Sequence, residues 1–212
     1  MSVPPFLRAA ELDALGLEHG FGTRASESAR IPELRMVRQV HGRRVLRVPP
    51  HSSDLEADAL LTTEPGFGVA VRTADCVPIL LADRERRGVA AVHAGWRGSA
   101  ARIVEHAVHA LCEACGAAPR DLVGVIGPHI RACCYEVDDP VRDPIGEPSV
   151  FVSAGRPGHY RLDLQRLNRL QLGRAGVRAI ASVGGCTSCD AERYASFRRD
   201  GTAGRMISYI KL

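Results

Sequence analysis

Gly88-Val89-Ala90-Ala91-Val92-His93-Ala94-Gly95-Trp96-Arg97-Gly98-Ser99 is the stretch whose reading decides the fold. Its first half is apolar and follows the charged turn Arg84-Glu85-Arg86-Arg87. Too short for a helix, the run Val89 to Val92 predicts a strand with His93 at its carboxyl end. Ser99 then stands where an N-cap belongs. Beyond it Ile103, Val104, Ala107, Val108, Leu111, Cys112 and Cys115 recur at helical spacing until Gly116. A helix over Ser99 to Cys115 is expected, with Gly95-Trp96-Arg97-Gly98 as the tight loop before it. A strand-to-helix junction carrying His, Trp and Arg is a place where α/β enzymes hold chemistry.

Outward from this junction, short apolar runs predict further strands near Arg35 to Val40, Val45 to Val48, Val69 to Arg72, Ile79 to Leu81, Leu122 to Ile126, Arg178 to Val183 and Met206 to Ile210. A second helix is expected over Asp163 to Ala175. So many strands against so few helices favour an α/β sandwich of mixed sheets with flanking helices over a doubly wound parallel sheet. No internal repeat or low-complexity segment interrupts the pattern.

With 212 residues and 45% hydrophobic content, the chain can bury a full core and reads as one domain over residues 1–212. The net charge of +4 comes from 28 basic and 24 acidic residues, and the arginines are scattered. Scatter argues against a nucleic-acid footprint and suits an anionic small substrate. Met1 to Leu15 lacks the charged start and apolar core of a signal peptide, and no apolar run is long enough to span a bilayer. A cytoplasmic protein without a membrane partner is the expectation. Seven cysteines, an odd number that includes the adjacent Cys133-Cys134, fit reduced thiols better than a disulfide framework.

Two Cys-x-x-Cys pairs invite a zinc-ribbon reading. Cys112 and Cys115 fall on the apolar face of the expected helix, where cysteine packs as a small hydrophobe. Cys186-Thr187-Ser188-Cys189 follows Gly184-Gly185 in a loop, where ligation or redox chemistry is easier. A different set is better placed for a metal: His41, Cys76 and His93, each at the end of an expected strand beside Gly, Pro or another small residue. Two imidazoles and a thiolate suit zinc and leave a fourth position open. Their spacing matches no compact metal motif, and a packed or hydrogen-bonded role is the alternative for each.

The ordered motifs Gln39-Val40-His41-Gly42, Ala57-Asp58-Ala59-Leu60, Ala74-Asp75-Cys76-Val77-Pro78, Val92-His93-Ala94-Gly95-Trp96-Arg97-Gly98, Ile126-Gly127-Pro128, Cys134-Tyr135-Glu136-Val137, Cys186-Thr187 and Phe197-Arg198-Arg199-Asp200-Gly201 with Gly204-Arg205 resemble the YfiH family. That family is also called laccase-domain or polyphenol oxidase protein, purine nucleoside phosphorylase, and peptidoglycan editing factor. The resemblance runs from about His19 to the C-terminus. It implies a YfiH-like sandwich related to the cysteine-hydrolase fold, and a zinc ion on His41, Cys76 and His93, with copper as the other candidate ion. It also implies phosphorolysis of adenosine, inosine and methylthioadenosine, with deamination of adenosine. Two departures stand out. The segment Ala25 to Met36, after the His19-to-Arg24 motif and ahead of Gln39-Val40-His41-Gly42, is shorter than the one members carry there, and His129 replaces the small or Cys residue after Gly-Pro.

On that reading, a zinc with an open position supplies Lewis acidity for deamination, with Asp75 as a candidate proton shuttle by adjacency. Phosphorolysis needs cations around phosphate, and Arg72, Arg97 and Arg198 are the candidates, each also readable as a surface ion-pair partner. Oxygen reduction by a multicopper enzyme needs further copper sites, commonly His-x-His pairs, and none of the eight histidines forms one. His106 and His109 are expected on the polar side of the helix. Two other classes stay open: a cell-wall-precursor hydrolase using Cys76 as nucleophile with His93, and a zinc-stabilised binding protein without turnover.

Overall fold

The computed structural model describes residues 3–48, 55–201 and 204–212. In chain order their strands are β1 (Phe6–Leu7), β2 (Glu18–Gly22), β3 (Leu34–Arg35), β4 (Val45–Arg47), β5 (Ala59–Thr62), β6 (Gly68–Thr73), β7 (Val77–Asp83), β8 (Val89–Ala94), β9 (Leu122–Ile126), β10 (Glu136–Asp138), β11 (Phe151–Ser153), β12 (His159–Leu162), β13 (Ala179–Ser182) and β14 (Met206–Lys211). The helices are α1 (Ala10–Asp13), α2 (Trp96–Ala100), α3 (Ile103–Cys115), α4 (Asp139–Ile145), α5 (Leu164–Arg174) and α6 (Phe197–Asp200). None of the described helices is long and apolar enough to cross a membrane.

Six strands, in the order β13-β9-β7-β8-β5-β4, make the central sheet. It is mixed, since β13 and β4 run parallel to their neighbours while the inner pairs are antiparallel. The second sheet, β1-β2-β14-β6-β3, is likewise mixed, and a small antiparallel sheet has the order β10-β12-β11. This is the mixed α/β architecture that the strand count implied.

Every residue of β7 is buried, because the central sheet is covered on both faces. Side chains alternate across a strand. Val77, Ile79 and Leu81 therefore join Val104, Val108 and Leu111 of α3 and Leu164, Leu167 and Leu172 in one core. Leu80 and Ala82 join Phe21, Val69, Val71 and Ile210 of the second sheet in another. A strand buried on both sides has no reason to alternate polar with apolar, so it reads as a continuous apolar run.

Three expectations are corrected. The helix over Ser99 to Cys115 is two helices, broken where Arg102 takes φ +59°. The loop Gly95 to Gly98 belongs to the first of them: Gly95 is the N-cap of α2 and Ser99 lies inside it. Buried Ser99 explains the break, because its hydroxyl donates to Asn168 Oδ1 (3.3 Å) and its carbonyl accepts from Gln171 Nε2 (2.7 Å). These bonds dock α2 on α5, so the chain must turn before α3 can lie along the sheet. The strand expected over Arg35 to Val40 is reduced to Leu34–Arg35, since the residues after it leave the sheet edge to build the site.

Candidate active site

Strand register brings the first two site segments together. In the antiparallel pair β7–β8, Val77 is opposite Ala94 and Pro78 opposite His93, which puts Cys76 beside Gly95. A Cβ on Gly95 would stand 2.8 Å from Cys76 Sγ and 3.3 Å from His41 Cδ2, so only glycine fits there. The third segment is held by side chains. The Gln39 amide donates to the Arg72 carbonyl and accepts from the Arg72 amide, both at 2.8 Å, in place of a strand neighbour for β6. His41 then turns with φ +59°, a left-handed conformation that is uncommon outside glycine and concentrates at functional sites.

Asp58, just before β5, ties the His41 segment to His93. Its Oδ1 accepts from the His41 amide (2.9 Å) and meets His93 Nδ1 (2.8 Å), while Oδ2 accepts from the Gly42 (2.6 Å) and Val40 (3.3 Å) amides. The carboxylate is fully buried. Burial raises the pKa of Asp58, but its bonds to His93 and the backbone outweigh that, and the net shift is downward. Sequence reasoning assigned Asp58 no role. The available signal was an acid inside the apolar run Ala57 to Leu61, since a buried carboxylate requires partners.

His41, Cys76 and His93 converge: one ligand atom from each lies within 4.8 Å of the others. The two imidazole centroids are 4.8 Å apart, with the rings at 76°. Burial opposes ionisation of Cys76, yet the adjacent His41 and His93 lower its thiol to about 6. Burial likewise opposes protonation of His93, and Asp58 and Cys76 raise it to about 9. Two imidazoles and a readily ionised thiol, with one ring oriented by a buried carboxylate, match the donor set and supporting shell of a zinc or copper site.

Asp75, at φ +85°, points its carboxylate away from solvent. Oδ1 accepts from the Thr187 hydroxyl and Oδ2 from the Arg198 amide, both at 2.6 Å. Beyond it opens a cleft of 350 Å³ whose walls include Trp96, Tyr135, Glu136, Arg156, His159 and Arg198. The Arg97 guanidinium lies 4.3 Å from the Trp96 ring centroid, and that of Arg198 lies 5.1 Å from the Tyr135 ring. Burial pushes the Tyr135 phenol up, and the charges of Cys76, Arg198, Asp75 and Arg97 all act on it. Tyr135 lines the cleft beneath Arg198, a role its motif did not announce. Arg72 does not line the cleft; its backbone is engaged with Gln39 and its side chain is exposed.

His129 belongs to neither group of convergent metal-ligating side chains. It is buried, its Nδ1 pairs with the Gly127 carbonyl (2.7 Å), and burial drives it down to about 3, so it is neutral. Cys112 and Cys115 likewise pack against the helical core, and His106 and His109 are exposed.

The family model for multi-copper polyphenol oxidoreductase laccase matches residues 22–212. This chain belongs to that family, the YfiH family. A Pseudomonas aeruginosa protein named purine nucleoside phosphorylase PA4543 is 40% identical, the match spanning 82% of this chain and 72% of that one. The Escherichia coli purine nucleoside phosphorylase YfiH is 37% identical, with the same coverage. Among solved structures, Bacillus licheniformis hypothetical protein YfiH superposes with a TM-score of 0.89 at 30% identity, covering 99% of this chain and 97% of its own. YlmD from Geobacillus stearothermophilus gives the same score and identity over 100% and 97%.

Proposed function

We propose that this chain is a purine nucleoside phosphorylase with adenosine, inosine and methylthioadenosine as substrates and phosphate as co-substrate, and that the same site deaminates adenosine. The observation that carries the reading is the cleft lined by Trp96, Tyr135 and Arg198, at which guanidiniums lie on aromatic rings: Arg198 on Tyr135, and Arg97 on Trp96. Flat aromatic faces suit a purine, and guanidiniums suit phosphate. Relatives named purine nucleoside phosphorylase support the same class.

His41, Cys76 and His93 would hold the ion, zinc in this proposal. When bound, it supplies Lewis acidity toward an oxygen of substrate or water. Asp58 holds His93 by Nδ1, which leaves Nε2 as the ring nitrogen for a ligand. Arg97 and Arg198 would bind phosphate and stabilise negative charge as the glycosidic bond breaks. Arg198 lines the cleft and Arg97 lies on Trp96, which lines it, whereas Arg72 is exposed with its backbone held by Gln39, so we assign phosphate to Arg97 and Arg198. Asp75 already accepts a hydrogen bond on each oxygen, and we read it as positioning Arg198 and Thr187 rather than shuttling a proton.

A second reading is favoured by one observation, the chain Asp58–His93–Cys76, an acid–imidazole–thiol arrangement that would serve nucleophilic hydrolysis in the absence of metal. Product analysis of adenosine incubated with and without phosphate tests the proposal. Adenine and ribose 1-phosphate formed only with phosphate, together with inosine in both samples, is the expected result. Absence of all three from metal-replete protein overturns it.

A further inference from the structure

Away from the His41 cluster, four cysteines from two separate turns meet. Cys133 and Cys134 lie in the turn before β10, and Cys186 and Cys189 in the turn after β13. Their four sulfurs all lie within 4.8 Å of one another. Cys189 Sγ is 3.6 Å from that of Cys133 and 3.3 Å from that of Cys134. With zinc–sulfur bonds of about 2.3 Å, a tetrahedron has sulfur–sulfur edges of about 3.8 Å. The two distances from Cys189 fall a little short of that edge, and both exceed the roughly 2.05 Å of a disulfide.

Core packing accounts for only half of the group: Cys134 and Cys186 pack against the core, whereas Cys133 and Cys189 are exposed. Hydrogen-bond donors stand beside it. The Arg131 amide donates to Cys186 Sγ at 3.4 Å, and the Arg161 guanidinium reaches the Cys133 carbonyl at 2.8 Å. The Arg161 guanidinium thus sets a positive charge on the turn that carries Cys133 and Cys134. We infer that Cys133, Cys134, Cys186 and Cys189 form a second metal site, a four-thiolate centre for a soft tetrahedral divalent cation, zinc.

Such a centre would be structural, with no open position. Cys134 precedes Tyr135, and Cys186 precedes Thr187, whose hydroxyl donates to Asp75 and whose carbonyl accepts from Arg199 (2.8 Å). The ion would therefore hold in register two walls of the cleft that come from distant parts of the chain. Among the described residues, the direct bonds between these turns include Thr187 amide to His129 carbonyl (3.0 Å) and Arg131 to the Gly184 carbonyl (3.2 Å).

The test uses the full chain carrying Cys76→Ser, which removes the only thiolate of the first cluster. The protein is stripped with chelator under reductant and then titrated with cobalt(II) and with zinc. The expected result is one tightly bound ion per chain and the intense charge-transfer and tetrahedral ligand-field absorption of cobalt bound by several thiolates. Adding Cys189→Ser, a change at an exposed position, should abolish most of that absorption. Zinc should displace cobalt and raise the melting temperature of the Cys76→Ser protein. Two results overturn the inference: no thiolate–cobalt absorption while the remaining cysteines still titrate as free thiols, or a disulfide that, once reduced, leaves four thiols without metal uptake. Neither depends on nucleoside turnover, so failure here is distinguishable from failure of the proposed activity.

Discussion

At the scale of single residues, the proposed site assigns donation to Cys76 and orientation to Asp58. Cys76→Ser replaces a soft, readily ionised ligand with a hydroxyl that is a far poorer one. Phosphorolysis and deamination should both disappear, while circular dichroism and the melting transition show a folded chain. Full turnover by a variant that has lost its metal from this site would move the chemistry to the arginines. Asp58→Asn keeps the shape but sets an amide group against the Gly42 and Val40 amides, which themselves donate. Loss of such a supporting group typically costs 10–100-fold in metal affinity. Competition against a chromogenic chelator should show that drop, and an unchanged affinity would mean that Asp58 does not orient His93. Both residues stood in motifs the sequence displays, but only Cys76 announced its chemistry. A carboxylate reveals its partners only when the segments carrying them are packed around it.

At the scale of elements, the hairpin joining β7 to β8 decides whether Cys76 and His93 stay in register. Its turn is closed by Asp83, whose buried carboxylate accepts from Arg87 Nε (2.7 Å) and Nη2 (3.0 Å). Arg87 holds the Asp83 carboxyl below the usual carboxylate range. A depressed folded pKa contributes stability above the unfolded value of about 3.9, and that stability is lost as pH falls through the folded value. Asp83→Asn should therefore cost about 1–3 kcal/mol at neutral pH. The gap between wild type and variant, read from urea unfolding across a pH series, should narrow below about pH 4. A gap independent of pH would show that the charge contributes nothing. The two strands of this hairpin were legible as apolar runs. The break at Arg102 was not, because it answers to Ser99 docking on α5 rather than to any local breaker.

At the scale of the molecule, the central sheet is sandwiched between α3 and α5 on one face and the second sheet on the other. Leu80 is fully buried toward the second sheet, in the strand that carries Cys76 at its start. Leu80→Ala should destabilise the fold by about 2–5 kcal/mol, the range for removing a packed leucine side chain. Denaturant unfolding with an unchanged m-value would report this, and a loss under about 1 kcal/mol would mean that the two sheets close over the gap. Metal affinity, governed by the strand ends, should fall much less than in Asp58→Asn.

The amino-acid sequence by itself determined five of the six central strands, missing β5, together with the existence of α5 and the residue types able to hold an ion, because apolar runs, caps and donor chemistry are properties of short segments. Strands such as Glu18–Gly22 and His159–Leu162 escaped it, being short and rich in polar residues or glycine. Only the tertiary structure decided how closely His41, Cys76 and His93 meet, that Asp58 joins the first to the last, and that Cys133 and Cys134 face Cys186 and Cys189. Those meetings depend on sheet order and strand register, which arise from burying both faces of one sheet at once, and no local pattern along the chain encodes that condition.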